Sequence, residues 1–143
     1  MVTEGHKPSV VFWVVGVLAL LWNGFGLLDL VMTMTNNEAY LADYPPELLA
    51  YWRDMPFWRD ILWIVGVGTA VIAAILFLLR NKLAAPLYAV APISMVIGLA
   101  HDAAAGGIAL MGTGGLIGSL AILAVSTALW WYARRQARKG VLR

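Results

Sequence analysis

The chain contains no cysteine, which excludes disulfides, thiol redox chemistry and thiolate metal sites. It has only two histidines, His6 and His101, and the topology read below puts them on opposite sides of a membrane. No metal site of joined histidines is then possible within one chain, and neither a metal nor another cofactor is expected. Charge is scarce as well: 13% of the 143 residues are charged, against 62% hydrophobic. A chain this small cannot hide so much apolar surface in a soluble core, because surface-to-volume scaling leaves much of it outside. That surface must face lipid. Catalytic signatures are also missing. Gly112-Thr113-Gly114-Gly115 has neither the Lys-Ser/Thr of a phosphate loop nor a strand before it, and Ser94, Ser119 and Ser126 have no base beside them in sequence. The chain is not expected to be an enzyme.

What is present is four long apolar stretches, at about 10–30, 61–79, 83–100 and 116–132. Each suits a membrane span, which needs about 20 residues to cross roughly 30 Å of hydrocarbon. Of the ten Lys and Arg, eight lie before the first stretch, between the second and third, or after the fourth: Lys7, Arg80, Lys82, Arg134, Arg135, Arg138, Lys139 and Arg143. Cytoplasmic loops of membrane proteins carry such an excess. The expectation is an all-α integral membrane protein, an antiparallel four-helix transmembrane bundle in the bacterial inner membrane with both ends cytoplasmic. Residues 1–143 form a single membrane domain. Residues 1–9 are a polar lead, 31–56 an outer hairpin and 133–143 a basic cytoplasmic tail. That tail would lie against anionic headgroups; nucleic acid is not an expected partner, because the cluster is short and juxtamembrane. The start superficially resembles a signal peptide, but its apolar run continues to Leu28 without a small-x-small cleavage site, so it reads as an uncleaved first span.

The outer hairpin carries its own signals. Thr35-Asn36-Asn37-Glu38 reads as a capping box that opens a short helix. Pro45-Pro46 breaks the chain and opens a second, Glu47–Asp54, on which Leu48, Trp52 and Met55 form an apolar stripe. With Trp52, Trp58 and Trp63 nearby, the hairpin is expected to lie among the outer headgroups, while Trp130, Trp131 and Tyr132 mark the inner interface. Pro92 is expected to kink the third span. Residues 103–115 are glycine-rich and uncharged, and a flexible outer loop is expected there, the alternative being a segment tucked into the bundle.

The polar residues of interest gather at one depth. At ~1.5 Å per residue, Asn23 lies about 20 Å above Val10 and Asp29 about 28 Å, and His101 lies about 27 Å above Leu83, with Asp102 next. Asp29, His101 and Asp102 form a candidate cluster near the outer interface. It would be suited to proton exchange or to binding a polar solute. The plainer reading is that these residues end their helices or pair across the bundle. Asn23 is expected to make an interhelical hydrogen bond. Small residues mark candidate helix contacts: Gly26 on the first span, Gly66 and Ala70 on the second, Ser94 and Gly98 on the third, Gly114 and Gly118 before and within the fourth. Packing within the chain is the expected use, and association with a second copy or another membrane protein the alternative.

The pattern Trp22-Asn23-Gly24-x-Gly26-x-x-Asp29, followed by Met32-Thr33, Tyr40-Leu41, Met55-Pro56-x-Trp58, Trp131-Tyr132-Ala133 and Gly140-Val141-Leu142-Arg143, resembles a family of small four-span inner-membrane proteins of alphaproteobacteria commonly labelled sugar transporters. The resemblance implies the four-span topology and the inner-membrane compartment, with transport of a sugar-like solute as one function. The stretch after Asp102 departs from that pattern. Size, shallow polar residues and the lack of an internal repeat favour a different role, a structural or accessory subunit acting through helix packing. Either role implies a homo-oligomer or a larger membrane complex, since four spans in a monomer enclose little room for a sugar.

Overall fold

The computed structural model describes residues 6–143; residues 1–5 of the expected polar lead lie outside the described residues. The described chain is helical throughout: α1 (Val10–Met34), α2 (Glu38–Leu41), α3 (Pro46–Arg53), α4 (Phe57–Leu78), α5 (Ala84–Ala105) and α6 (Gly107–Arg138). The helices α1, α4, α5 and α6 are long and apolar enough to span a membrane and pack antiparallel. This is a four-span helical membrane protein. Helices α4 and α5 form the closest pair; α1 packs on α4 and α6 on α5, so the outermost spans flank a central hairpin.

Three helices end in the same way, and these endings set the connections. Asn36, Arg80 and Gly140 each adopt a left-handed backbone, with φ of 51°, 59° and 72°. The following amide in each case bonds back to a carbonyl five residues earlier: Asn37 to Met32 (3.0 Å), Asn81 to Leu76 (2.8 Å) and Val141 to Gln136 (3.0 Å). These are Schellman endings, which satisfy carbonyls the helix leaves open. The expected capping box at Thr35 is not formed. Thr35 instead closes α1, and Asn37 opens α2 by accepting a hydrogen bond from the Tyr40 amide (3.0 Å). Pro46 is the first residue of α3, where its missing N–H costs nothing.

The expected loop at 103–115 is replaced by helix. Residues 103–105 complete α5, Gly106 turns the chain at φ 82°, and α6 starts at once at Gly107. A single break interrupts α6 at Gly112 (φ 68°, ψ −178°). Ile108, Leu110 and Met111 give this stretch an apolar character that outweighs the poor helix propensity of its glycines. The first span likewise runs to Met34 and the second starts at Phe57, beyond the expected limits.

The tightest packing is at the end of the bundle that carries most of the Lys and Arg, the basic end. Ala73, Ala74, Ala84 and Ala133 are fully buried there, and Phe12 stacks on Phe77 at 4.4 Å between ring centroids. Small residues let the helix backbones approach, and the long aliphatic side chains point outward into what is lipid. The expected basic tail, residues 133–143, is tied into the bundle at its end. Residues 133–138 belong to α6, and the irregular piece after Gly140 folds back onto the α4–α5 turn. The Arg143 amide donates to the Arg80 carbonyl (2.8 Å), the Lys82 amide donates to the Arg143 carbonyl (3.1 Å), and Val141 and Leu142 are buried.

Candidate functional site

The opposite end of the bundle, capped by α2 and α3, holds a buried polar cluster built around Asp102. Asp102 lies in the last turn of α5, where the α-helical period sets it one turn above Gly98 on the same face. Arg59 lies in the first turn of the antiparallel α4, at the same height. Its Nη2 donates to both carboxylate oxygens of Asp102 at 3.2 Å, and both side chains are about nine-tenths buried. Gly98 makes the approach possible: a Cβ there would stand 2.7 Å from Arg59 Nη1. From α3, the Tyr51 hydroxyl donates to Asp102 Oδ1 at 2.9 Å, and its ring rests on Gly107 at the start of α6. The His101 ring nitrogen Nδ1 stands 3.4 Å from the same oxygen, with Trp58 edge-on to the imidazole at 5.2 Å. Three helices therefore meet at one carboxylate, and α6 reaches it only through its contact with the Tyr51 ring. Burial, and next the bond to Asp102, push the Tyr51 hydroxyl up to about 12, so it remains a donor across the physiological range.

The sequence-based cluster is divided by this arrangement. Asp102 and His101 are together, but Asp29 belongs to a separate pair. Its Oδ1 accepts from the Tyr40 hydroxyl at 2.6 Å, which ties α2 to the end of α1. The physical reason is topological: α1 packs on α4 rather than on α5, which carries His101 and Asp102. The hydrogen bond to Asp29 is the main cause that pushes the Tyr40 hydroxyl up to about 12. Asn23 does not bond between helices; its Nδ2 donates to the Ala19 carbonyl of its own helix at 2.8 Å. A polar side chain in an apolar span can satisfy itself on its own backbone one turn back.

Arg59 and Tyr51 were not among the sequence candidates. The available signal was the charge pattern itself: Arg53 and Arg59 are the two basic residues outside the eight at the basic end. A cation on the wrong side of a span asks for a partner, and the carboxylate one turn from a glycine on the neighbouring helix supplies it.

The small residues also divide. Gly66 faces Ser94, with 3.1 Å from its would-be Cβ to the serine Cβ, and Ala70 is buried between α4 and its neighbours. Gly26, Gly114 and Gly118 have open space where a Cβ would stand, so the expected packing within the chain is not made at these three. Between Gly107 and Ala133, α6 has no buried residue. Among the aromatics, Trp52 packs edge-on to Tyr44, Trp58 contacts His101, and Trp63 is half-buried on α4. At the basic end, Arg134 and Arg135 lie over Trp130 and Trp131 at 5.6 and 5.5 Å, and Tyr132 packs on Phe77.

Chemically, the cluster is a fastener. The Arg59 and Asp102 charges cancel, and both carboxylate oxygens are engaged by protein donors. Among the described residues, no group of three or more His, Asp or Glu side chains is placed to share a metal ion. The cavity between the helices near the basic end, lined by Val15, Ala19, Phe77, Tyr88, Leu129 and Tyr132, has no room for a water molecule. The chain matches no family model, no curated protein and no solved structure.

Proposed function

We propose that this protein is a non-enzymatic structural or accessory subunit of the bacterial inner membrane, acting by packing its outermost span against a second copy or a larger membrane complex. The observation that carries this reading is the contrast between the central α4–α5 pair and the flanking α6. The α4–α5 pair is closed by small residues and by the Arg59–Asp102 fastener, whereas α6 offers Gly114 and Gly118 with nothing against them. Close backbone approach at such positions is how helices associate in lipid, where apolar burial alone gives no advantage. In this reading the basic end faces the cytoplasm. Its basic side chains, with Arg134 and Arg135 held over the Trp130 and Trp131 rings, meet anionic headgroups, and the α2–α3 cap faces outward.

The test is extraction in a mild detergent followed by native mass analysis of the wild type and of Gly114→Ile and Gly118→Ile. A defined assembly that falls to the 15.5 kDa monomer in both variants supports the proposal. A wild type that is monomeric at every concentration, or an assembly indifferent to both substitutions, overturns it. Proteoliposome uptake separates the carrier alternative. A sugar-like solute moved by the wild type and not by Asp29→Asn and His101→Ala would replace the accessory role with transport. Because the chain has no cysteine, single-cysteine labelling at exposed Glu38 and Lys139 reads the orientation directly.

A further inference from the structure

A second polar feature lies on the α2–α3 cap, apart from the Arg59–Asp102 cluster. The cap forms an open groove of about 300 Å³ between α2 and α3. That volume is at the lower limit of small-molecule sites, which run from about 300 to 1,000 Å³. Leu41 and Leu49 contribute its apolar floor, and Glu38, Tyr44, Asn36 and Arg53 its polar wall. Glu38 and Arg53 carry opposite charges and share this groove, yet they do not pair. Among the described residues the ion pairs within 4.0 Å are those of Asp102 with Arg59 and His101. Opposite charges on one small hairpin ordinarily close on each other when they can reach. Here Arg53 bonds elsewhere: the side-chain Oδ1 of Asn36 accepts from Arg53 Nε at 3.3 Å. That bond engages the guanidinium by its inner nitrogen, and its two terminal NH2 groups have no acceptor among the described residues, which leaves them able to take an oxyanion in bidentate fashion.

We propose that this groove binds a small zwitterion whose primary ammonium and phosphate or carboxylate are separated by a short alkyl link. The anion is held by Arg53, the ammonium by Glu38, and the link lies over Leu41 and Leu49. A primary ammonium fits better than a quaternary one. Its three N–H donors match the Glu38 carboxylate, whereas a quaternary group is recognised by a cage of several aromatic faces, and Tyr44 is the single aromatic ring lining the groove. The phosphoethanolamine headgroup of a lipid and a free molecule of the same chemistry both meet this description. The cap's Tyr40, Tyr44 and Trp52 belong to the residue types that sit at headgroup level.

The experiment uses the full chain in two arms. In nanodiscs, native mass spectrometry compares retention of phosphatidylethanolamine, phosphatidylcholine and phosphatidylglycerol. In lipid-free detergent, calorimetry follows titration with O-phosphoethanolamine. Glu38→Gln and Arg53→Gln each remove one charge from an exposed side chain and leave the buried core untouched; Asp54→Asn is the neighbouring control outside the groove. Preference for phosphatidylethanolamine over both other lipids, weakened about tenfold or more by each groove variant but not by the control, supports the site with a lipid as its source. Binding of O-phosphoethanolamine in detergent, with the same dependence on Glu38 and Arg53 and no lipid preference, supports it with a soluble source. Equal retention of the three lipids together with no binding of O-phosphoethanolamine overturns the proposal. So does binding that Glu38→Gln and Arg53→Gln leave unchanged.

Discussion

Replacing Asp102 by Asn keeps the shape of the side chain and removes its charge, leaving the Arg59 guanidinium uncompensated at a site where its side chain is 12% exposed. Arg59 has no reserve of partners. Its Nε is already buried without a hydrogen-bond acceptor, and Gly98 fits closely against Nη1, so the group cannot swing to water without breaking the α4–α5 contact. Breaking a buried ion pair by removing one partner costs about 3–5 kcal/mol, mostly the penalty of the orphaned charge. Asp102→Asn should therefore destabilise the bundle by about that amount, and Arg59→Met should do the same from the other side, leaving Asp102 with Tyr51 alone as a strong donor. The double variant Arg59→Met/Asp102→Leu removes both charges and should lie close to the wild type, as apolar replacements of buried pairs often do. Equilibrium unfolding of the four proteins in mixed micelles with increasing SDS gives the full cycle. Single variants within about 1 kcal/mol of the wild type would refute the fastener. So would a double variant as unstable as the sum of the singles, because additivity means the two groups do not interact.

Gly98→Ala places a Cβ 2.7 Å from Arg59 Nη1 and should destabilise by about 1–3 kcal/mol in the same unfolding assay; an unchanged midpoint would mean the guanidinium is not held there. The Tyr40 hydroxyl, pushed up to about 12 by its bond to Asp29, keeps its proton in the folded cap while an unfolded one loses it near 10. Its contribution is therefore complete below pH 10 and lost as pH rises through 12. Ultraviolet titration should show one tyrosine moving toward 10 in Asp29→Asn, and no movement would deny the pair. Leu142→Ala, at a side chain 3% exposed against the α4–α5 turn, should cost about 2–5 kcal/mol, and faster amide exchange at Lys82 and Arg143 should accompany it. Slow, unchanged exchange would mean the docked segment does not depend on that side chain.

Hydropathy and charge were enough to read the four spans, the helical cap and the grouping of polar residues at one end. Each rests on a pattern many residues long, which no single contact overrides. The limits of the spans were less legible. Asp102 and Arg59 look like the edges of apolar stretches, yet both lie inside helices because each neutralises the other. Individual propensity misled at 103–115, where a glycine-rich stretch is helical apart from the turn at Gly106 and the break at Gly112. The missing half of the site, Arg59 and Tyr51, depends on which helices are neighbours. A carboxylate and a cation 43 residues apart meet only if α4 and α5 pack antiparallel at matched height. Asp29 failed to join them for the same reason, since no local pattern says that α1 lies on α4 rather than α5. Val141 and Leu142 sit among basic residues that suggest a tail lying on the headgroups, and their burial follows from the turn at Gly140.

We propose that this chain works by assembly through the uncovered face of α6. The most direct measurement is the mass of the protein released from its native membrane into a mild detergent, with disuccinimidyl crosslinking before extraction as the check on detergent artefacts. The expected result is a defined species of at least twice 15.5 kDa, reduced to the single chain by Gly118→Ile. A lone monomer, uncrosslinked at native abundance and unaffected by that substitution, would contradict it.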